Sequence, residues 1–547
     1  MFNWVSEDTV RQKALNGMTG CDKEGSEVLM KFQQGNLRIR MLAQDIFRVT
    51  FTYRDQYLNI PSFAVVSETG ETDFSLEQNL EKVIIKTKAL EISIAKKNGS
   101  MIVSDAAGKV ISRDMDAGFS WSKDTIRCKK AMKNEDHFYG LGEKTGFLDK
   151  KGRKYLNWNT DESLHTPNKD PLYKTIPFLI TFNENYAYGI FVDKTCKTWF
   201  DLGEESKEYF TFEVDDFEMD YYFIFGPEIK KVIQSYTELT GRMELPPLWA
   251  LGYQQCRWGY YPEEMVKDLA DTFRTKQIPC DVIYLDIDYM DEYRVFTWNE
   301  NRFPNPEKLM EDLRAQGFRV VTIVDPGVKK DSEYDVYLEG VKKDLFCKTA
   351  TGDVYHGKVW PGDAAYPDFT KEETRKWWGE KHQALIGKGI SGIWNDMNEP
   401  SDFTGDDPFD RTKATVPNDI IMENDGHPRT FRRYHNAYGF NMCKATYEGF
   451  ITLKPEERPF MVTRSAYAGI QRYSSVWTGD NHSWWEHLAS SMPLHMNIGM
   501  SGVPFVGGDV GGFQENATPE LFARWMQLGV FTPFLRAHTT IGLSLIH

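Results

Sequence analysis

The sequence predicts two domains of different class: an N-terminal β-sandwich over residues 1–245, followed by a (β/α)8 TIM barrel over 246–547. Three observations carry this expectation. From about residue 25 to 230, short runs alternate apolar and polar residues with period two and break at Gly, Asn and Asp, as antiparallel strands with one wet face do. After MELPPLWALG, where Pro246 and Pro247 mark a boundary, continuous apolar runs alternate with amphipathic stretches. Charged residues then recur at the C-terminal ends of those runs, where a parallel barrel builds its site.

The elements follow in order. NLRIRMLAQDIFRVTFTY, EKVIIKTKALEISIAKK, GKVISR, YAYGIFVD, KEYFTFEV and EMDYYFIFG are the strands of the first half. In the second half LWALGYQQ leads to YPEEMVKDLADTFRTKQ, and DVIYLDID to NPEKLMEDLRAQG. FRVVTIVDP leads, after an insertion at about 326–369, to TKEETRKWWGEKHQALIGKG. Thr370 and Glu373 have the spacing of a capping box at the start of that helix. GIWNDM, RPFMVTRS, SSVWTGDN, VPFVGGD and TPFLRAH supply strands four to eight, and Thr518 and Pro519 stand as N-cap and N1 of TPELFARWMQLGVF. Eight strands in βα order make a barrel.

Composition narrows the function. At 547 residues the chain exceeds a single core, and 41% hydrophobic with 27% charged residues describes a folded, soluble protein. The formal charge of −15, with acids and bases interspersed, repels phosphate backbones and anionic membranes, so neither nucleic acid nor a membrane is expected as a partner. The first residues carry no apolar leader pattern and no run approaches 18 apolar residues, which gives a cytoplasmic reading. Seven widely spaced cysteines, without CxxC or Cys/His pairs at zinc spacing, read as buried free thiols.

The strand ends hold the chemistry. Asp286 and Asp288 end strand two, Asp325 strand three, Asp396 and Glu399 strand four, Arg464 strand five, Asp480 strand six, Asp509 strand seven, and Arg536 and His538 strand eight. Such a ring of acids suits either a divalent metal or carboxylate acid/base chemistry. A metal needs more ligands than spacing assembles, since His538 is the only histidine at a strand end. Trp258, Trp360, Trp394, Trp477 and Phe513 fall at or near the same rim, where apolar walls raise an acid's pKa and stack on pyranose rings. The residue types are those of glycoside hydrolysis, but spacing leaves open whether Asp396 or Glu399 attacks.

WNDMNEP at 394–400 resembles the nucleophile signature of glycoside hydrolase family 31, in its α-glucosidase branch. DIDYM at 286–290, VWPG with PDFT at 359–370, TRS at 463–465, WTGDN at 477–481, GGDVGGF at 507–513 and PFLRAH at 533–538 follow in the family's order. The resemblance covers roughly residues 130–540. It implies Asp396 as nucleophile and Asp480 as general acid/base, with Glu399 a supporting carboxylate. Asp286, Ile287, Arg464, Asp509 and His538 are then expected to hold the hydroxyls and wall of the sugar, and Trp360, Trp394, Met397, Trp477 and Phe513 its apolar lining. WNTD at 158–161 resembles a loop that reaches over the pocket, which makes Asp161 a candidate substrate ligand.

The implied function is a retaining, exo-acting α-glucosidase acting on small α-glucoside oligosaccharides through a glucosyl-aspartate, with no cofactor or metal. A retaining pair should stand about 5 to 5.5 Å apart, with Arg464 keeping the pKa of Asp396 low and Trp477 helping to raise that of Asp480. Two other readings stay open: a non-catalytic α-glucan binder on the same fold, and a metal-dependent barrel enzyme. Linkage preference, transglycosylation and homo-oligomer formation also stay open. Family members continue past strand eight into a last barrel helix and C-terminal β-domains, whereas seven residues follow Thr540 here. The expectation is therefore a barrel lacking that helix and those domains, a longer natural protein, and a foreign tail at 543–547, LSLIH, which translates the end of a common sequencing adapter.

Overall fold

The structure, a computed structural model, describes residues 13–67, 72–163, 165–405, 407 and 409–541. The expected tail at 543–547 lies outside the described residues.

Alternation in the first half becomes three antiparallel sheets of eight, six and five strands. One face of the eight-stranded sheet shares a core with the other two: Val49, Phe51 and Phe223 pack with Ile92 and Val103 of the five-stranded sheet and Ile126 and Phe212 of the six-stranded one. The strand Leu90–Ala95 keeps its period-two burial. Three strands of the large sheet, Thr175–Asn183, Tyr186–Val192 and Glu218–Gly226, are instead buried along nearly their whole length. Their second face is covered by the helix Ile229–Thr240 and by Phe440, Tyr467, Ile470, Leu494 and Ile498 of the barrel. Each large side chain removed from water there contributes about 1.5–3 kcal/mol, and the shared core fixes the sandwich to the barrel.

The barrel strands are Tyr253–Gln255, Val282–Leu285, Arg319–Val324, Gly392–Asn395, Met461–Thr463, Ser475–Trp477, a seventh in two pieces, and Leu535–Ala537. The seventh breaks at Gly508: Val506–Gly507 pairs with strand six and Asp509–Val510 with strand eight. Strand eight pairs with strand one, so the ring closes through the split strand. Glycine is required at 507, where a Cβ would stand 2.0 Å from the Phe534 carbonyl oxygen. Between strand three and its helix lie Val328–Lys329, Gly362–Ala365 and His356–Val359 as a small sheet, with the helix Asp335–Lys342 beside it. Trp360 sits at the turn between its two longer strands.

Thr518 caps its helix as expected, accepting from the Leu521 amide at 3.2 Å. The capping box at Thr370 does not form. The helix runs Glu372–Lys381 with Lys371 at its N-cap, while the buried Thr370 hydroxyl donates to Asp368 and accepts from the Asn424 amide at 2.9 Å. Loop packing claims the side chain that the spacing assigned to the helix. All seven cysteines are free and six are buried. Among the described residues no helix is long and apolar enough to cross a membrane.

Candidate active site

The C-terminal ends of the barrel strands surround a pocket of about 300 Å³, within the size range of small-ligand sites. Asp286, Ile287, Trp394, Asp396, Met397, Arg464, Asp480, Phe513 and His538 line it from the barrel, Trp360 from the insertion and Asp161 from the N-terminal domain. Asp161 arrives there because Asn159 is pinned to the barrel: its amide donates to Asn436 Oδ1 at 2.9 Å and its side chain to Ser465 Oγ at 2.8 Å. Trp158 stacks on His435 with ring centres 3.6 Å apart.

Arg464 organises the acids. It forks onto Glu399, Nε to Oε1 at 2.9 Å and Nη2 to Oε2 at 2.8 Å, and its Nε lies 3.0 Å from Asp396 Oδ1. Nη2 is 3.5 Å from Asp161 Oδ2, and Nη1 is 3.9 Å from Asp480 Oδ2. One guanidinium thus faces four carboxylates. Ser401 Oγ is within donating distance of both Asp161 Oδ2, 2.9 Å, and Glu399 Oε2, 3.0 Å. Arg411 closes the far side, its Nε donating to the Asp161 carbonyl at 3.0 Å. At the strand ends the backbone turns back on two acids: the Met397 amide donates to Asp396 Oδ1 at 2.7 Å, and the Ile287 amide to Asp286 Oδ1 at 2.7 Å.

Burial acts on every acid here, and the partners decide how far. Asp480 is pushed well above the usual carboxylate range by burial, with Arg464 at long range pulling back and Asp396 and Asp161 adding to the rise. For Asp396 burial also wins: its carboxyl is raised, although Arg464 and the Met397 amide oppose the rise. This corrects the expectation that Arg464 keeps the pKa of Asp396 low. The guanidinium is shared, so its charge cannot cancel the desolvation of each partner. Burial lifts Asp286 to about 8, and it drives the His538 imidazole well below its ordinary value, so that ring is neutral.

Two expected wall residues lie elsewhere. Trp477 and Asp509, 1% and 0% exposed, sit beneath the floor rather than on it. There Arg536 Nη2 pairs with Asp509 Oδ1 at 2.7 Å, and its guanidinium is boxed by the rings of Tyr284, Trp394, Trp477 and Phe534. Trp477 meets Trp394 edge-on at 5.6 Å and supports the wall indirectly. Asp288 is likewise off the pocket, held by Arg302 at 3.0 Å and Trp258 Nε1 at 3.1 Å. Its neighbour faces the pocket because the turn Ile287–Tyr289 points the two acids apart.

Sequence reasoning missed Ser163, Ile323, Phe403, Arg411 and Gln514 on the lining and Tyr173 beneath Asp480, whose hydroxyl accepts from the Asp480 amide at 3.3 Å. No local motif marks them: Ile323 is one apolar residue within strand three, and the others belong to loops and short turns placed by tertiary contacts. Aromatic crowding gave a partial signal: Trp258 lies 5.6 Å from Trp360, and Trp360 lies 5.4 Å from Phe403, forming a ledge at the mouth. Among the described residues one group has donor atoms close enough to hold a metal: Cys256, Asp286 and His538.

Residues 243–544 match the TIM-barrel domain of glycosyl hydrolases family 31, and residues 36–201 its N-terminal galactose mutarotase-like domain. Over 93% of its length the chain is 48% identical to alpha-glucosidase 2 of Bacillus thermoamyloliquefaciens, covering 64% of that protein. It is 37% identical to an alpha-glucosidase of Saccharolobus solfataricus over 75% of this chain and 62% of the relative. It therefore spans less than two thirds of the length of these curated relatives. A variant of the family 31 dextranase of Flavobacterium johnsoniae, solved with isomaltotriose, superimposes with a TM-score of 0.89 at 31% identity, over 97% of this chain and 66% of that one. With both halves matched and the pocket built where they meet, the chain belongs to glycosyl hydrolase family 31.

Proposed function

We propose that this chain carries the catalytic pocket of a retaining, exo-acting α-glucosidase that removes terminal glucose from small α-linked oligosaccharides. The observation that carries the reading is the pair Asp396 and Asp480, on one pocket and facing one guanidinium at 3.0 and 3.9 Å. Asp396 is the nearer to Arg464 and accepts a backbone amide, which favours its ionised form. It attacks the anomeric carbon, and the C1–Oδ bond forms as the glycosidic C1–O bond breaks. Asp480, held protonated by burial, passes its proton to the leaving oxygen. In the second half-reaction it takes a proton from water, and the hydroxyl displaces the aspartate from C1.

In this reading Asp161, Asp286 and His538, which line the pocket, hold hydroxyls of the bound glucose, and Trp394, Ile287 and Phe513 pack on its apolar face. Relatives named as alpha-glucosidases support the substrate class, and the relative solved with isomaltotriose keeps α-1,6 linkages within it. The binder and metal-dependent readings are separated from this one by a single assay, hydrolysis of p-nitrophenyl α-glucoside with and without EDTA. Turnover unchanged by EDTA supports the proposal. Absence of turnover would leave a binder, and turnover abolished by EDTA would point to a metal enzyme. We extend the proposal to a cytoplasmic protein, supported by seven thiols of which none is paired.

A further inference from the structure

Cys256, Asp286 and His538 directly follow barrel strands one, two and eight, which are neighbours in the ring. The Cys256 amide donates to the Ala537 carbonyl at 2.8 Å, which holds the thiol in register with His538. A donor atom from each of the three lies within 4.8 Å of the other two. Ligands around one tetrahedral Zn2+ stand about 3.3–3.8 Å apart, so the side chains need draw in by only about 1 Å.

These donors are largely uncommitted. His538 is 3% exposed; its Nδ1 has no partner among the described residues, and its Nε2 stands 3.8 Å from Asp286 Oδ2, beyond hydrogen-bond reach. Asp286 spends Oδ1 on the Ile287 amide and leaves Oδ2 toward the histidine. A thiolate, an imidazole and a carboxylate form a donor set for Zn2+ or Co2+ rather than for Mg2+ or Ca2+, which take oxygen ligands. The nearby positive charge of Arg536 is engaged by Asp509 at 2.7 Å, while Asp396 and Asp288 add negative potential at Asp286. Asp286 and His538 line the pocket, so a fourth position on the ion would face it.

We propose that Cys256, Asp286 and His538 form an inhibitory site for a borderline divalent cation of the Zn2+ class. The inhibitory part rests on the α-glucoside reading above, because the ion would withdraw two side chains that hold the sugar and would compete with it. Binding requires the thiol and the Asp286 carboxyl to release their protons to solvent, so affinity rises with pH.

The test uses Co2+ and Zn2+ on the purified chain. Co2+ titrated without substrate is expected to give a thiolate-to-cobalt charge-transfer band in the near ultraviolet, displaced by Zn2+, absent in Cys256→Ala and weakened in His538→Ala. Zn2+ is expected to raise KM for p-nitrophenyl α-glucoside at least tenfold with kcat unchanged, reversibly on EDTA, and to lose that effect in Cys256→Ala. A melting curve on each variant confirms that it is folded. No cobalt band in the parent chain, or Zn2+ inhibition undiminished in folded Cys256→Ala, overturns the proposal. The cobalt arm needs no turnover, so failure of the α-glucosidase reading and failure of the metal site are told apart.

Discussion

Two arginines end barrel strands five and eight and use their charge in opposite ways. Arg536, under the floor, has one carboxylate and four aromatic rings, and both members of its ion pair are 0% exposed. Arg464, on the wall, divides itself among Glu399, Asp396, Asp161 and Asp480. A dedicated pair is electrically complete and holds the floor rigid. A shared cation leaves its acids under-compensated, each with a proton affinity set by its own burial and distance. On the proposed mechanism Arg464 therefore supports acids with two different tasks, and the acid that Arg536 holds has neither.

The largest effect that tests this contrast is chemical. Asp396→Ala should lower kcat/KM by at least about 10⁴-fold, with azide yielding the inverted glucosyl azide rather than the normal product. Asp480→Ala should lose about 10²–10⁴-fold on substrates with poor leaving groups and far less on activated ones. Equal losses on both substrate types would mean that Asp480 does not supply the proton.

The floor should answer differently. Arg536→Met strands Asp509 without a partner and is expected to cost about 3–5 kcal/mol in unfolding, while the double variant with Asp509→Asn should recover most of it. Denaturant titration reads this. A double variant no more stable than the single one would show that the aromatic box, not the ion pair, carries the stability.

A third effect is a pH dependence of stability. Asp286, raised to about 8, keeps a proton in the native state that the unfolded chain releases near its ordinary pKa of about 4. Stability is thus lost as pH climbs from about 4 to about 8. Asp286→Asn removes the titration, so its melting temperature should match the parent near pH 4 and exceed it by a few degrees near pH 8, at the expense of activity. A difference that is constant with pH would contradict the assignment. The smallest effect belongs to the mouth: Trp360→Ala should raise KM by a few-fold to about tenfold at nearly constant kcat, because it removes a stacking surface and no reacting group.

What the sequence made legible follows from which signals are local. Strand alternation at Leu90–Ala95 and the charged residues at most barrel strand ends are properties of short segments, and both survive in the fold. Tyr186–Val192 is expected among the alternating strands with one wet face and is instead buried throughout, because the barrel packs on the sheet's second face, a contact no short segment contains. Thr370 had the right spacing for a cap and was taken by Asp368 and Asn424, partners that spacing does not contain for Asn424. Cys256 carries no local metal signal, because its candidate partners are distant in sequence. Asp286 and His538 lie 30 and 282 residues away; Asp286 reaches it through the pairing of strands one and two, and His538 through the closure of the ring. Glu399 and Asp396 could not be ranked from spacing, and the fork of Arg464 distinguishes them: it is closed on Glu399 and only edges Asp396, which faces the pocket.

The central claim, that one shared guanidinium equips Asp396 to attack and Asp480 to donate, is tested most directly by proton NMR of glucose released from p-nitrophenyl α-glucoside, recorded before mutarotation. Double displacement at C1 predicts the α-anomer first, with β-glucose growing only at the mutarotation rate. β-Glucose as the first product would mean a single displacement by water and would contradict the nucleophilic role of Asp396.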